Sequence, residues 1–169
     1  MKGRTISCLL VLTIFITFSA MFTTHANAQN SVTGTLTVSD ETFQLKHVYV
    51  YEQGDEVAVF MIDSPVSPDN VPFDLGDLAY EGKLHGLSFG IFKSTKETKG
   101  AVYNAIYHKV MLGRGALSDA GKLTIKKFDS KVLEGSLKID EPGTFECFSC
   151  PENPTYIYDV TFKVSLEAK

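Results

Sequence analysis

The chain has 169 residues, with 16 Lys and Arg against 20 Asp and Glu, a net charge of −4, three Cys and no Trp. A protein of this size and sign lacks the basic footprint of a nucleic-acid binder and is repelled by anionic lipid surfaces. The length fits one domain with a core of its own.

Residues 1–28 read as a secretory signal peptide. Lys2 and Arg4 form a basic start, "CLLVLTIFITFSAMF" an apolar stretch, and Ala26-Asn27-Ala28 a small-x-small cleavage site. The apolar stretch, about 15 residues, falls short of the roughly 20 that a membrane-spanning helix requires. Cys8 does not end that stretch, so it does not mark a lipoprotein. Cleavage starts the mature chain at Gln29, with a cut after Ala20 as the alternative. Loss of Lys2 and Arg4 lowers the basic count from 16 to 14 against 20 acids, a mature charge of −6. The expectation is a periplasmic or secreted protein with one β domain over residues 29–169. The lack of an N-x-[ST] acceptor (Pro154 follows Asn153) is compatible with a bacterial origin.

The mature chain reads as strands. "GTLTV" (34–38) and "TFQLKHVYVY" (42–51), joined through Ser39-Asp40-Glu41, look like a hairpin. "EVAVFMI" (56–62) is apolar on both faces, which suits a covered central strand. Segment 64–83 holds Pro65, Pro68 and Pro72 and one short helix, "PFDLGDLAYEGK", interrupted by Gly76. "LHGLSFGIF" (84–92), "AVYNAIYHKVML" (101–112), "KLTIKKF" (122–128) and "KVLEGSLKI" (131–139) follow, with Gly or Asp at their joins. The last strand, "TYIYDVTFKVSL" (155–166), alternates Tyr156, Tyr158, Val160, Phe162, Val164 and Leu166 with a mostly polar face. No proline interrupts a strand. About eight strands and one short helical insertion predict an antiparallel β-sandwich or a small β-barrel.

Cys147 and Cys150 raise the question of chemistry. A redox C-x-x-C needs its first thiol at a helix N-terminus, but Pro151-Glu152-Asn153-Pro154 cannot continue a helix. Haem attachment needs His where Pro151 stands, and zinc needs two further ligands. A local disulfide between Cys147 and Cys150 fits an oxidising compartment best. It stands ahead of a metal half-site, a redox pair and free thiols. So small a ring contributes about 2 kcal/mol.

"GLSFG" (86–90) matches the hydrolase G-x-S-x-G, which works at a strand-to-helix turn. Here Ile91-Phe92 continue a strand, so Ser88 reads as a strand residue. Asp63, Asp69, Asn70, Asp74, Asp77 and Glu81 form an acidic loop without calcium-loop spacing. His47 and His108 lie on apolar strand faces, where a hydrogen-bonded core role is commoner than ligation. Tyr49, Tyr103 and Tyr156 pair an apolar ring with a polar tip, which suits a cavity lining as well as a core edge. If a ligand pocket exists, these three tyrosines with His47 and His108 are its expected lining.

The functional expectation is an exported, soluble, non-enzymatic β domain that binds a small molecule or an envelope protein, without cofactor or metal. Two alternatives are a thiol-redox or hydrolytic enzyme using Cys147 and Cys150 or Ser88, and a small outer-membrane β-barrel. The last is disfavoured by "EVAVFMI", since lipid-facing strands alternate apolar and polar residues.

Overall fold

The period-two pattern is realised in two antiparallel sheets packed face to face, an all-β sandwich without barrel closure. The computed structural model describes residues 30–71, 75–98, 104–106, 122–144 and 152–166. The expected leader (1–28), Tyr103, His108, Cys147 and Cys150 lie outside the described residues.

The strands are β1 (Ser31–Val38), β2 (Glu41–Gln44), β3 (His47–Gln53), β4 (Glu56–Ile62), β5 (Gly86–Phe92), β6 (Asn104–Ile106), β7 (Lys122–Phe128), β8 (Val132–Lys138), β9 (Gly143–Thr144) and β10 (Thr155–Ser165). The larger sheet has the order β2-β1-β10-β8-β7, with β9 also on β10; the smaller has the order β3-β4-β5-β6. Between β4 and β5 stand a 3-10 turn (Pro68–Asn70) and α1 (Leu75–Tyr80), the one α-helix among the described residues.

β10 carries the clearest alternation because it is central in its sheet. Tyr156, Tyr158, Val160, Phe162 and Val164 are buried between the sheets, while Thr155, Asp159, Thr161 and Lys163 are exposed. Facing them are Val48 and Val50 of β3, Val57, Val59 and Met61 of β4, and Leu87, Phe89 and Ile91 of β5. The rings of Phe89 and Phe162 meet across the core with centroids 5.2 Å apart, tilted by 52°, a favourable aromatic arrangement. Two glycines make room for the β10 aromatics. Gly135 stands opposite Phe162 and Gly143 opposite Tyr156 in register. A methyl group on Gly143 would lie 2.1 Å from the Tyr156 ring.

The smaller sheet is covered on its outer face as well, which explains why β4 is apolar on both sides. Tyr49 and Ile62 pack there against Val71, Leu75 and Leu84, with Phe60, Val66 and Leu78 partly buried around them. The Tyr49 hydroxyl donates to the Val66 carbonyl at 3.0 Å and accepts the Val66 amide at 3.1 Å. That pair of bonds fastens the 64–83 insertion to the sheet.

The structure corrects one sequence expectation in detail. Residues 42–51 are not one strand but two, in different sheets. The chain leaves the larger sheet where the Leu45 amide bonds to the Gly34 carbonyl at 3.0 Å. It joins the smaller one where the Lys46 amide bonds to the Ile62 carbonyl at 3.0 Å. Between β8 and β10 the chain adds the short strand β9.

The surface of the larger sheet carries ion pairs, among them Lys126 to Glu134 across β7 and β8 at 2.6 Å and Lys138 to its near neighbour Asp140 at 3.2 Å. The Lys126 hydrogen bond holds the Glu134 carboxyl below its ordinary range, and the bond to Asp140 raises Lys138. Both pairs are exposed, where such contacts contribute little. Burial matters more for Tyr156, whose hydroxyl is pushed above the ordinary tyrosine range by desolvation. A raised folded-state value gives stability that is complete below the unfolded tyrosine pKa and lost as pH climbs through the folded one. Lys126 and Lys138 are shifted the same way, so one substitution isolates the tyrosine. Tyr156→Phe is expected to move the alkaline unfolding midpoint upward while leaving the acid midpoint in place, as read by circular dichroism across pH.

Candidate functional site

Antiparallel pairing in both sheets sorts the turns to the two ends of the sandwich. One end collects the termini of β4 and β2 and the start of β5; the other collects the β3–β4, β5 and β7–β8 turns with the end of β10.

At the first end a histidine and an aspartate close the sandwich. Asp63 and His85 extend the β4–β5 ladder by one step, the Asp63 amide bonding to the His85 carbonyl at 2.9 Å. The Asp63 carboxylate accepts the His85 amide at 2.9 Å and holds His85 Nδ1 at 2.9 Å. Both side chains are largely buried, at 18% and 10% exposure. The imidazole then stacks on Phe43 of β2 with centroids 3.9 Å apart and planes 14° off parallel. Phe43 is paired with Leu36, and His85 continues the inward series Leu87, Phe89, Ile91. The trio therefore bridges the inner faces of the two sheets. Beside it opens a shallow groove of about 440 Å³ along Glu41, Thr42, Phe43, Gly82 and His85.

At the opposite end lies a deeper groove of about 510 Å³ between the sheets, lined by Glu52, Lys93, Lys96, Phe128, Asp129, Ser130 and Leu166. The smaller sheet supplies one wall. Lys93 Nζ bonds to Glu52 at 2.5 Å, the Lys93 amide to the Asp55 carbonyl at 2.8 Å, and the Ser94 amide to the Asp55 carboxylate at 3.0 Å, with the Ser94 hydroxyl on its other oxygen. Lys96 follows in the left-handed conformation at φ 61°.

The larger sheet supplies the other wall. Asp129 caps its own turn, accepting the Lys131 amide at 2.8 Å and the Val132 amide at 2.9 Å. Those donors, with Lys127, hold its carboxyl below the usual carboxylate range, so it is anionic at neutral pH. The Leu166 amide is fixed to the Lys131 carbonyl at 2.7 Å. Phe128 packs against the core, and Leu166 belongs to it. The result is an apolar floor beneath two cations and two anions, held by turns whose backbone bonds are already made.

Of the residues selected from the sequence, the described ones, His47, Tyr49 and Tyr156, line neither groove. His47 and Tyr49 take the outer side of the smaller sheet, and the Tyr49 hydroxyl is engaged by Val66. Tyr156 is 2% exposed in the inner core, with its ring over Gly143. The smaller sheet thus stands between Tyr49 and Tyr156. Ser88, 7% exposed, sits in mid-strand opposite Phe60, on the face away from His85 and Leu87. Its neighbourhood is strand on both sides, without the turn that exposes a nucleophile. Among the acidic loop residues, Asp63 serves His85, Asp69 and Asp77 are exposed, and Glu81 pairs with Lys83 at 2.6 Å. No group of three or more His, Cys, Asp or Glu among the described residues is placed to hold a metal ion. No described helix is long and apolar enough to cross a membrane.

The residues that line the deeper groove stand at strand ends and in the turns beside them. Their signal in the sequence is a lysine and an aspartate directly after strand-terminal phenylalanines, in Phe92-Lys93 and Phe128-Asp129. No protein-family model, curated protein or solved structure matches the chain.

Proposed function

We propose that the protein is an exported, non-enzymatic binding domain that holds a small amphipathic molecule in the groove between the β3–β4, β5 and β7–β8 turns. The observation that carries this reading is the groove's composition, Phe128 and Leu166 below Lys93, Lys96, Glu52 and Asp129. Its volume, about 510 Å³, is of the order that small-molecule sites occupy. The rim charges balance, so the site does not concentrate strongly charged ligands. It favours an apolar body with a dipolar or hydrogen-bonding head, the body covering Phe128 and the head exchanging with the Lys93–Glu52 pair. Ser88, buried in mid-strand, supports binding over hydrolysis. The leader-like sequence of residues 1–28, a basic start, an apolar stretch and Ala26-Asn27-Ala28, supports export.

Native mass spectrometry of the mature protein from its own host tests the proposal. The expected result is a bound small-molecule mass that disappears in Phe128→Ser combined with Lys93→Glu, while a Thr161→Ser control on the outer face of the larger sheet retains it. A bound mass that survives the groove double variant would overturn this site, and a clean apo mass in every preparation would overturn small-molecule binding.

A further inference from the structure

The charged groups around the deeper groove are not equally committed. Glu52 is engaged by Lys93 Nζ at 2.5 Å. Asp129 accepts the Lys131 and Val132 amides at 2.8 and 2.9 Å and lies 3.1 Å from Lys127 Nζ. Asp55, at the same end, takes the Ser94 amide at 3.0 Å and the Ser94 hydroxyl. Among the described residues Lys96 makes no ion pair, although it lines the groove together with Phe128 and Leu166. The charge that the lining leaves open is a single ammonium.

The backbone fixes the root of that side chain. The Lys96 amide bonds to the Phe92 carbonyl at 2.8 Å and the Phe92 amide to the Glu97 carbonyl at 2.9 Å, which closes the turn after β5. Inside it Lys96 stands at φ 61°, one of two non-glycine residues among the described ones with a positive φ. Glycine takes that conformation freely, whereas a residue with a Cβ is strained there. Strain of this kind gathers at functional positions.

On the reading that this groove is the binding site, we propose that its ligand is an amphipathic monocarboxylate, whose carboxylate pairs with Lys96 while its apolar body covers Phe128 and Leu166. The alternatives each meet an obstacle. An ammonium head finds both lining carboxylates, Glu52 and Asp129, already engaged and faces Lys93 and Lys96. A hydroxyl head gains a hydrogen bond but no ion pair. A second negative charge on the ligand finds a partner only by opening the Lys93–Glu52 bridge. A single carboxylate disturbs no bond already made.

The test uses the mature protein with decanoate, decanol and decylammonium, which share one apolar body and differ in the head. Amide chemical shifts locate the binding, and titration calorimetry at low salt measures it. Decanoate is expected to move the amides of residues 92–97 and 128–132. It should bind about fivefold more tightly than decanol, the scale of an exposed ion pair, with decylammonium the weakest of the three. Lys96→Gln, which keeps the stem and removes the charge, should erase the preference for decanoate and leave decanol binding unchanged, whereas Lys96→Arg should keep the preference. Both variants retain a Cβ at the same φ, so neither adds strain. Equal affinity for decanoate and decanol, or a preference that survives Lys96→Gln, overturns the carboxylate head while leaving the groove as the binding site. Binding of none of the three overturns the monocarboxylate, and the host-derived mass then judges the groove on its own.

Discussion

Gly34→Ala should destabilise the protein by roughly 2–6 kcal/mol, a large share of the 5–15 kcal/mol that holds a domain of this size together. Two costs add at this position. The backbone stands at φ 137°, a conformation that side chains rarely adopt and that costs about 1–3 kcal/mol. A methyl group there would also lie 2.1 Å from the Asp159 carbonyl oxygen and 2.7 Å from Val160 Cα. Both atoms belong to the backbone of β10, the centre of the larger sheet, which cannot rotate aside as a side chain could. Overpacking of that kind adds about 1–3 kcal/mol. The Gly34 carbonyl also accepts the Leu45 amide, at the point where the chain departs for the other sheet. Gly54→Ala is the control. It stands at φ 61° with nothing within 4 Å, so strain alone applies, about 1 kcal/mol. Urea unfolding followed by circular dichroism measures both, and equal losses at the two glycines would refute the steric account.

Phe162→Ala carries the second large effect, an expected loss of about 3–5 kcal/mol. The ring is 2% exposed, meets Phe89 at 5.2 Å across the core, and approaches within 3.1 Å of where a methyl on Gly135 would sit. Gly135 has no side chain to swing into the space, so the cavity cannot collapse from that side. Phe162→Leu should recover most of the loss. A deficit below about 1 kcal/mol for the alanine variant, read by chemical denaturation, would show that the two sheets can close over the gap.

How much of this was legible in the sequence depended on whether the pattern was local. β10 was legible because one face is wet and the period is strict from Tyr156 to Leu166. The double cover of β4 was legible for the opposite reason, since neither face shows a polar series. The helix was legible to within a turn, Pro72 and Gly76 notwithstanding. The division at Leu45-Lys46 was not, because both residues continue the β pattern around them. What separates the strands is a pair of distant acceptors, Gly34 and Ile62.

The sites were still less legible. Asp63 and His85 are 22 positions apart and meet only through the β4–β5 register. Lys93, Phe128 and Leu166 meet only once the direction of every strand is known. The tyrosines drew attention as potential lining, yet Tyr49 and Tyr156 went to different layers.

The placement of β10 sets an order of events during synthesis. Its neighbours β1 and β8 do not bond to each other, so until the C-terminal strand arrives the larger sheet exists as two separate hairpins. β3, β4 and β5 follow one another in the chain and pair in that order, and they assemble from local contacts while the rest is still being made. The first strand must wait for the last, a closure over nearly the whole chain, and such distant pairing is slow. A chain that emerges from a ribosome or a membrane channel N-terminus first thus remains half-zipped until β10 is free, and it closes only then.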